Sequence, residues 1–261
     1  MLLIILGYKL FMQRLFDYLR LKSFRLVNKI FGITTLTFSA DGEDVILRKF
    51  LSGLKSGFYV DLGAHDHKDG SNTFYLYLLG WSGVCVDPLP GVRKKFLKNR
   101  PRDIFIDKAI VSNNTSEKTI DFNFFQDFPD NSTISNERLV DLKQKFNRAP
   151  SSVIQVETIS ISTLIKNHIG STEVNLLNID IEGGEFDILS SFMKEKVYPW
   201  IICVEEIGRY AEDIVNDSPT YKLLKENSYL FMGRTFLSSI YVHSGIFKKL
   251  KSPYIKDLVL K

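Results

Sequence analysis

The sequence predicts an open, mostly parallel α/β sheet with helices packed on both faces. The first observation is the stretch Gly57-Phe58-Tyr59-Val60-Asp61-Leu62-Gly63-Ala64-His65, which reads as a short buried strand ending in an acid and then a glycine turn. Two later apolar runs, at residues 83–87 and 200–206, likewise close on acids, Asp87 and Glu205-Glu206. Such strands alternate with helical patterns over most of the chain, the rhythm of repeated βα units. With 261 residues, 44% of them apolar, there is enough chain to bury the core of one large domain.

Residues 2–6 are apolar, but Lys9 interrupts them well short of the ~20 residues of a spanning helix. No basic segment precedes them and no A-x-A site follows, so a signal peptide is not expected. Residues 8–30 have a helical pattern, with Phe11, Leu15, Leu19, Leu26 and Ile30 set among bases. Such a helix suits the surface of an anionic membrane, and equally a packing site on the domain or on another subunit. A second helix opens at Ser39, with Asp41, Glu43 and Asp44 in its first turn as the helix dipole prefers. The strand before Gly63 leads through a polar loop at 65–70 into an amphipathic run at 72–79, which Gly80 stops. The strand at 83–87 is closed by Pro88, and a basic helix at 91–100 and a strand at 104–110 complete the third unit.

Residues 115–158 break the rhythm. Alternating Ile120, Phe122 and Phe124 lead to a polar loop at 126–133, a charged helix at 137–146 and a strand at 153–158. An insertion of this kind at the strand ends is a common seat of specificity. Its most polar turn, Asn131-Ser132-Thr133, reads either as part of a site or as a solvated loop. The alternation then resumes with a helix at 161–169, a strand at 175–181, a helix from Glu182-Gly183-Gly184-Glu185, and the strand at 200–206. A helix at 220–227 and strands at 229–232 and 238–243 finish it. The expected organisation is a basic amphipathic extension at 1–35, one domain at 36–246 with an insertion at about 112–158, and a basic tail at 247–261.

The net charge of +4 is unevenly placed: residues 1–30 carry +5, the last fifteen carry +4, and the middle carries −5. An acidic domain with basic ends lacks the continuous basic stripe of a nucleic-acid-binding fold, and no such partner is expected. Cys85 and Cys203 each lie inside an apolar run without metal or redox spacing. They are expected as buried thiols, with the reducing cytoplasm as the compartment, peripheral contact with a membrane apart.

A dinucleotide fingerprint would need glycines at positions 65 and 68, where the chain has His65 and Lys68. Closely spaced glycines let backbone approach a pyrophosphate; a ligand without phosphates needs that approach less. Asp61 at the strand end suits hydroxyls or positive charge. S-adenosylmethionine has an amino group, a sulfonium and ribose hydroxyls, and no phosphate. Asp87 follows 26 residues after Asp61, near the spacing at which a second-strand acid meets ribose hydroxyls. The plainer alternative is that Asp61 only binds loop amides.

Asp41-Gly42-Glu43-Asp44, Val60-Asp61-Leu62-Gly63-Ala64-His65, Ser71-Asn72-Thr73, Val86-Asp87-Pro88 and Asn178-Ile179-Asp180-Ile181-Glu182-Gly183-Gly184-Glu185 occur in this order. In that combination the chain resembles the FkbM family of S-adenosylmethionine-dependent methyltransferases over roughly residues 38–245, the I-D-I-E-G-G-E segment being the most specific part. The resemblance implies a class I methyltransferase fold, a Rossmann-like open sheet of seven mostly parallel strands with the last antiparallel. It also implies transfer to hydroxyls of sugars or natural products, so that the expected partner is a small-molecule or saccharide acceptor. Carried over by position, Asp61 and Gly63 match the cofactor turn, and Asp87 the ribose-binding acid, where glutamate is commoner. Ala40 stands where the family usually has glutamine before D-G-E-D.

His65, Asn72 and Asp107 complete the candidate cofactor residues. Gly63→Val is expected to block the cofactor and leave the fold intact, because the turn lies at a strand end. The crevice is expected between the first strand and the one ending at Asp180, where strand order reverses. Asp180, Glu182 and Glu205 are the candidate catalytic acids, to orient or deprotonate an acceptor hydroxyl, or to hold a divalent ion that lowers its pKa. Glu182 and Glu185 read alternatively as first-turn acids of the following helix, and Asp180 as its cap. The loop His65-Asp66-His67-Lys68-Asp69 has metal-binding residue types, but Lys68 sits among them and no metal is assigned. Two other functions fit parts of the pattern: a nicotinamide-dependent Rossmann oxidoreductase, disfavoured by the missing glycines, and a non-catalytic module binding a sugar or nucleotide at a membrane surface.

Overall fold

The computed structural model describes residues 12, 15–20, 22–24, 26–27, 29–30, 35–207 and 210–250. In chain order the strands are β1 (Phe58–Leu62), β2 (Ser82–Val86), β3 (Ile104–Ile106), β4 (Ala109–Val111) and β5 (Thr119–Phe124). They continue as β6 (Ser152–Ser160), β7 (Leu176–Ile179), β8 (Ile201–Glu205), β9 (Tyr229–Arg234) and β10 (Ser238–His243). Seven of them form one sheet in the order β3-β2-β1-β7-β8-β10-β9. The pairs from β3 to β8 are parallel, and β10 runs antiparallel to both neighbours. This is the mixed α/β sheet of a class I methyltransferase, with the order reversing between β1 and β7.

Period-two alternation builds a core on each face of the sheet. Tyr59, Leu176, Ile201 and Ile240 face one side, while Val60, Leu62, Leu177, Ile179 and Val204 face the other. Both cysteines are free and buried within these layers.

The helices are α1 (Glu43–Phe50), α2 (Phe74–Leu78), α3 (Val92–Asn99), α4 (Asn136–Phe146), α5 (Ile161–Leu164) with a π turn at Ile165–Ile169, α6 (Glu185–Lys194), α7 (Ala211–Asp217) and α8 (Pro219–Glu226). The acids opening α1 are ties more than solvated charges. Asp44 accepts hydrogen bonds from Thr37 Oγ1 at 2.6 Å and Ser39 Oγ at 3.1 Å, and Glu43 from Thr235 Oγ1 at 2.5 Å.

Helix α2 departs from the amphipathic reading, since all five of its residues are buried. Arginines cover its outward rings. The guanidinium of Arg20 lies 5.8 Å from the Phe74 ring, that of Arg48 3.9 Å from Tyr75, and that of Arg102 3.7 Å from Tyr77. Arg102 also donates to the buried carboxylate of Asp17 at 2.6 Å. The described residues between 12 and 30 are helical and are docked on the domain through this pair.

The strand expected at 104–110 is two strands. The chain leaves the main sheet at Asp107, which binds Arg93 at 2.8 Å, and at Lys108, which binds Glu157 at 2.6 Å. It re-enters as β4 in a second sheet of order β4-β6-β5. This sheet and α4 form the insertion. The turn Asn131-Ser132-Thr133 is buried and not a solvated loop: Arg148 donates to Asn131 Oδ1 at 2.6 Å, and Thr133 pairs with Asn123 through its backbone.

Candidate active site

Register brings the acids together. Leu62 stands opposite Val86 and Ile179, and Ile179 opposite Val204. One residue further along four parallel strands lies a row, Asp87, Gly63, Asp180 and Glu205, with neighbouring backbones roughly 4.8 Å apart. Gly63 is pinned in it, donating to Val86 O at 2.9 Å, while Asp180 N donates to Leu62 O at 2.9 Å. At φ +79 this glycine approaches the Asp180 carbonyl so closely that a Cβ would fall 1.6 Å from its oxygen. Gly63→Val is therefore no clean probe of ligand binding, contrary to the sequence-based expectation. The glycine is needed for the contact between two strand ends.

On the β1 side, Asp61 is buried and held. Thr73 Oγ1 donates to its Oδ2 at 2.5 Å and Asn178 Nδ2 to its Oδ1 at 2.9 Å. Asn72 Nδ2 in turn donates to Asn178 Oδ1 at 2.9 Å. Arg100, fully buried, donates to Thr73 Oγ1 at 2.9 Å and is paired with Asp103 at 2.7 Å. Burial pushes the Asp61 pKa up, against the opposing pull of Arg100 and of the Thr73 and Asn178 hydrogen bonds. His65 sits at φ +45, so the position keeps the left-handed backbone of a glycine while carrying a side chain. Its amide donates to Asp87 Oδ2 at 2.8 Å, and Leu89 N donates to Asp87 Oδ1 at 2.7 Å. Asp87 thus shapes the loop while still lining the cavity.

Asp107 is not brought to this place. It is exposed and engaged by Arg93, because β3 ends at Ile106 and the chain turns away. The first loop is likewise occupied internally: Asp66 takes the amides of Lys68 and Asp69 and the ammonium of Lys95 at 2.8 Å.

On the β7–β8 side, Asp180, Glu182 and Glu205 bring carboxylate oxygens within 4.8 Å of one another, a spacing that one divalent ion can bridge. Burial, then the charges of Glu182 and Glu185, push the Asp180 pKa well above the usual carboxylate range. Burial and the charge of Asp180 push Glu205 up to about 11. Glu182 rises through burial to about 7, restrained by Arg138, whose Nε and Nη2 both lie 2.7 Å from its Oε2. Adjacent buried carboxylates resist ionising together, which is why these shifts all run upward.

The helix-terminus alternatives divide. Glu185 does serve the start of α6, accepting from Gly183 N at 2.8 Å and Ile181 N at 3.3 Å. Glu182 lies in the preceding turn at φ +59, with its carbonyl held by Thr133 Oγ1 at 2.7 Å. The N-cap of α6 is Gly184, with no side-chain cap, so Asp180 is not its cap.

These groups line a cavity of about 330 Å³. Seven acidic residues line it, Asp61, Asp69, Asp87, Asp130, Asp180, Glu182 and Glu205, with no lysine or arginine among its described lining residues. Leu89, Ile110, Phe122 and Ile134 supply apolar walls, the last two from the insertion. Such a donor set fits a cationic ligand that carries hydroxyls and an apolar ring, and repels phosphates.

Sequence reasoning missed Asn178, Thr73, Arg100 and Arg138. Asn178 was within reach: two residues before Asp180 on one strand, it shares that residue's face. Arg100 and Arg138 have local ion-pair partners in Asp103 and Asp141, but their contacts to the site, Thr73 and Glu182, lie 27 and 44 residues away and leave no local signal.

A family model described as methyltransferase FkbM domain matches residues 61–231. No curated protein and no solved structure matches the chain.

Proposed function

The chain belongs to the FkbM methyltransferase family, and from that premise we propose that it methylates a hydroxyl of a sugar or natural product, using S-adenosylmethionine. The observation that supports this most is the acidity of the cavity lining: seven acidic residues and, among the described lining residues, no lysine or arginine. A nicotinamide dinucleotide would bring a pyrophosphate into that field, so the oxidoreductase alternative fits poorly.

The bound cofactor supplies a methyl group on a sulfonium, which leaves as a neutral thioether. The chain's own residues supply alignment and proton handling. Asp61, fixed by Thr73 and Asn178, and Asp87, fixed by two backbone amides, hold the positive and hydroxyl groups of the ligand. Asp180 and Glu205 orient the acceptor hydroxyl, and Glu182, with a pKa about 7, accepts a proton near neutrality. A divalent ion at the same three carboxylates is the alternative means of lowering the acceptor pKa.

Calorimetry tests the cofactor assignment. S-adenosylhomocysteine is expected to bind, and NAD not to bind measurably. Equal affinity for the two would sink the assignment, as would Asp61→Asn leaving the S-adenosylhomocysteine affinity unchanged.

No helix among the described residues is long and apolar enough to cross a membrane. We further propose peripheral contact with an anionic bilayer on the cytoplasmic side, which the two free buried thiols favour. Residues 1–30 carry +5, and Phe16, Leu19, Leu26 and Ile30 are exposed on the docked segment. Truncation is a poor test, because Arg102 would stay buried without Asp17. Phe16→Ser with Ile30→Ser should instead lower sedimentation with phosphatidylserine vesicles several-fold and leave S-adenosylhomocysteine affinity alone. Wild-type protein that ignores such vesicles at low salt would end this reading.

A further inference from the structure

We propose that Arg100 is a positioning residue for the ligand-binding carboxylate Asp61, acting on it through the hydroxyl of Thr73. The inference rests on the methyltransferase reading above, in which Asp61 holds positive and hydroxyl groups of the cofactor. Arg100 does not line the cavity, so any part it has in binding passes through another side chain.

Local structure puts the guanidinium behind β1. Arg100 closes α3, its amide bonded to Phe96 O at 2.7 Å, and the turn that follows returns Asp103 N to Arg100 O at 2.9 Å. Asp103 is thereby set to pair with Arg100 Nε at 2.7 Å, both side chains fully buried. The rings of Tyr59, Tyr77 and Phe96 lie 5.5, 5.4 and 4.8 Å from the guanidinium carbon. The ion pair with Asp103 occupies only Nε. The Nη2 group reaches on to Tyr59 OH at 3.0 Å and Thr73 Oγ1 at 2.9 Å, and Nη1 to Ser71 Oγ at 3.3 Å and His67 O at 3.4 Å.

A guanidinium only donates, so Thr73 Oγ1 must accept from it. The single hydroxyl proton of Thr73 is then left for Asp61 Oδ2, at 2.5 Å. Thr73 stands at the N-cap of α2, where a threonine hydroxyl ordinarily accepts from the first helix amides. Here it makes no such cap, and Ser71 Oγ takes the Phe74 amide at 3.1 Å instead. The Thr73 hydroxyl is committed to Asp61.

The other oxygen of Asp61 is held by Asn178, which Asn72 holds in turn. That chain begins at a neutral amide, whereas the Thr73 chain begins at a cation. Asp87, Asp103 and Asp180 surround Asp61 with further negative charge, and Arg100 opposes them. Arg100 thus fixes the direction of one hydrogen bond to Asp61 and keeps it an acceptor, leaving its remaining lone pairs to the ligand.

The test reads S-adenosylhomocysteine affinity by calorimetry on the full chain. Arg100→Met is combined with Asp103→Asn, so that neither buried charge is left alone. The combination should weaken binding by about tenfold or more. In the Asp61→Asn background it should change affinity by no more than about twofold, because the group it supports is already gone. Thr73→Val should reproduce both results, and Thr73→Ser, which keeps the hydroxyl, should bind like wild type. These two variants leave the ion pair intact and carry the test if the neutralised pair does not fold. Equal losses with and without Asp61→Asn would make Arg100 a scaffold residue and overturn the proposal. Thr73→Ser as weak as Thr73→Val, or Thr73→Val as tight as wild type, would overturn it too. Each of these leaves the cofactor reading standing, whereas wild-type protein that does not bind S-adenosylhomocysteine removes that reading itself.

Discussion

Asp180→Asn is expected to lower single-turnover methyl transfer by roughly 10²–10⁴ while S-adenosylhomocysteine still binds. Asparagine keeps the shape of the side chain and removes both its charge and its capacity to accept a proton. Asp180 lies at the centre of the acid row, beside Gly63 on one strand and Glu205 on the next. Glu205→Gln should cost less, because it leaves Asp180 in place at the centre of the row. In wild type the rate should fall as pH drops through about 7, because Glu182 must be deprotonated to accept a proton and its pKa is raised to that value. Chelation separates the two ways of lowering the acceptor pKa: activity lost to chelator and restored by Mg²⁺ means an ion at the three carboxylates. Full transfer in both mutants would mean that these acids take no part in the reaction.

The parallel strands of the main sheet were legible because each is a short apolar run closed by an acid or glycine, and the pattern is local. What local pattern cannot carry is long-range pairing. β4 and β6 are joined across Ala109 to Thr158, and nothing near either residue marks the other as its partner. For the same reason the stretch 104–110 reads as one strand: Asp107 and Lys108 break it only because Arg93 and Glu157 are placed to receive them. Helix α7 went unread, its seven residues AEDIVND having one buried apolar position, Ile214. Helix α2 read as half exposed because the arginines that cover it come from three distant segments.

The acid positions were legible for a physical reason. Acids at the carboxyl ends of neighbouring parallel strands fall in one row once the register is set, so Asp180 and Glu205 had to meet. Glu182 was ambiguous, since a glutamate before Gly-Gly-Glu suits a helix start as well as a site. Its φ of +59 sets it outside the helix start, and its partner Arg138 comes from the insertion. Asp107 fails because β3 is the edge strand and Arg93 holds its exposed carboxylate away from the cavity.

Gly63→Ala is expected to destabilise the protein far more than Gly70→Ala, although both glycines have positive φ, +79 and +75. The left-handed backbone costs an alanine roughly 1–2 kcal/mol at either position, so that contribution cancels between the two variants. A Cβ at Gly70 meets nothing within 4 Å, whereas at Gly63 it falls 1.6 Å from the Asp180 oxygen and 2.6 Å from its carbonyl carbon. Both of those atoms are backbone, and the neighbouring Asp180 N to Leu62 O hydrogen bond holds them in place. Relief requires β1 and β7 to part at their ends, at a cost of about 1–3 kcal/mol or more, out of a total stability of about 5–15 kcal/mol. At roughly 2–4 °C per kcal/mol for a domain of this size, Gly63→Ala should melt several degrees below Gly70→Ala, and Gly63→Val should fail to fold or melt lower still. The same displacement would move the Asp180 carboxylate, so any folded Gly63→Ala should lose methyl transfer beyond its loss of S-adenosylhomocysteine binding. Equal melting temperatures for the two alanine variants would show that the strand ends have room to part, and that the glycine serves the ligand as the sequence alone suggests.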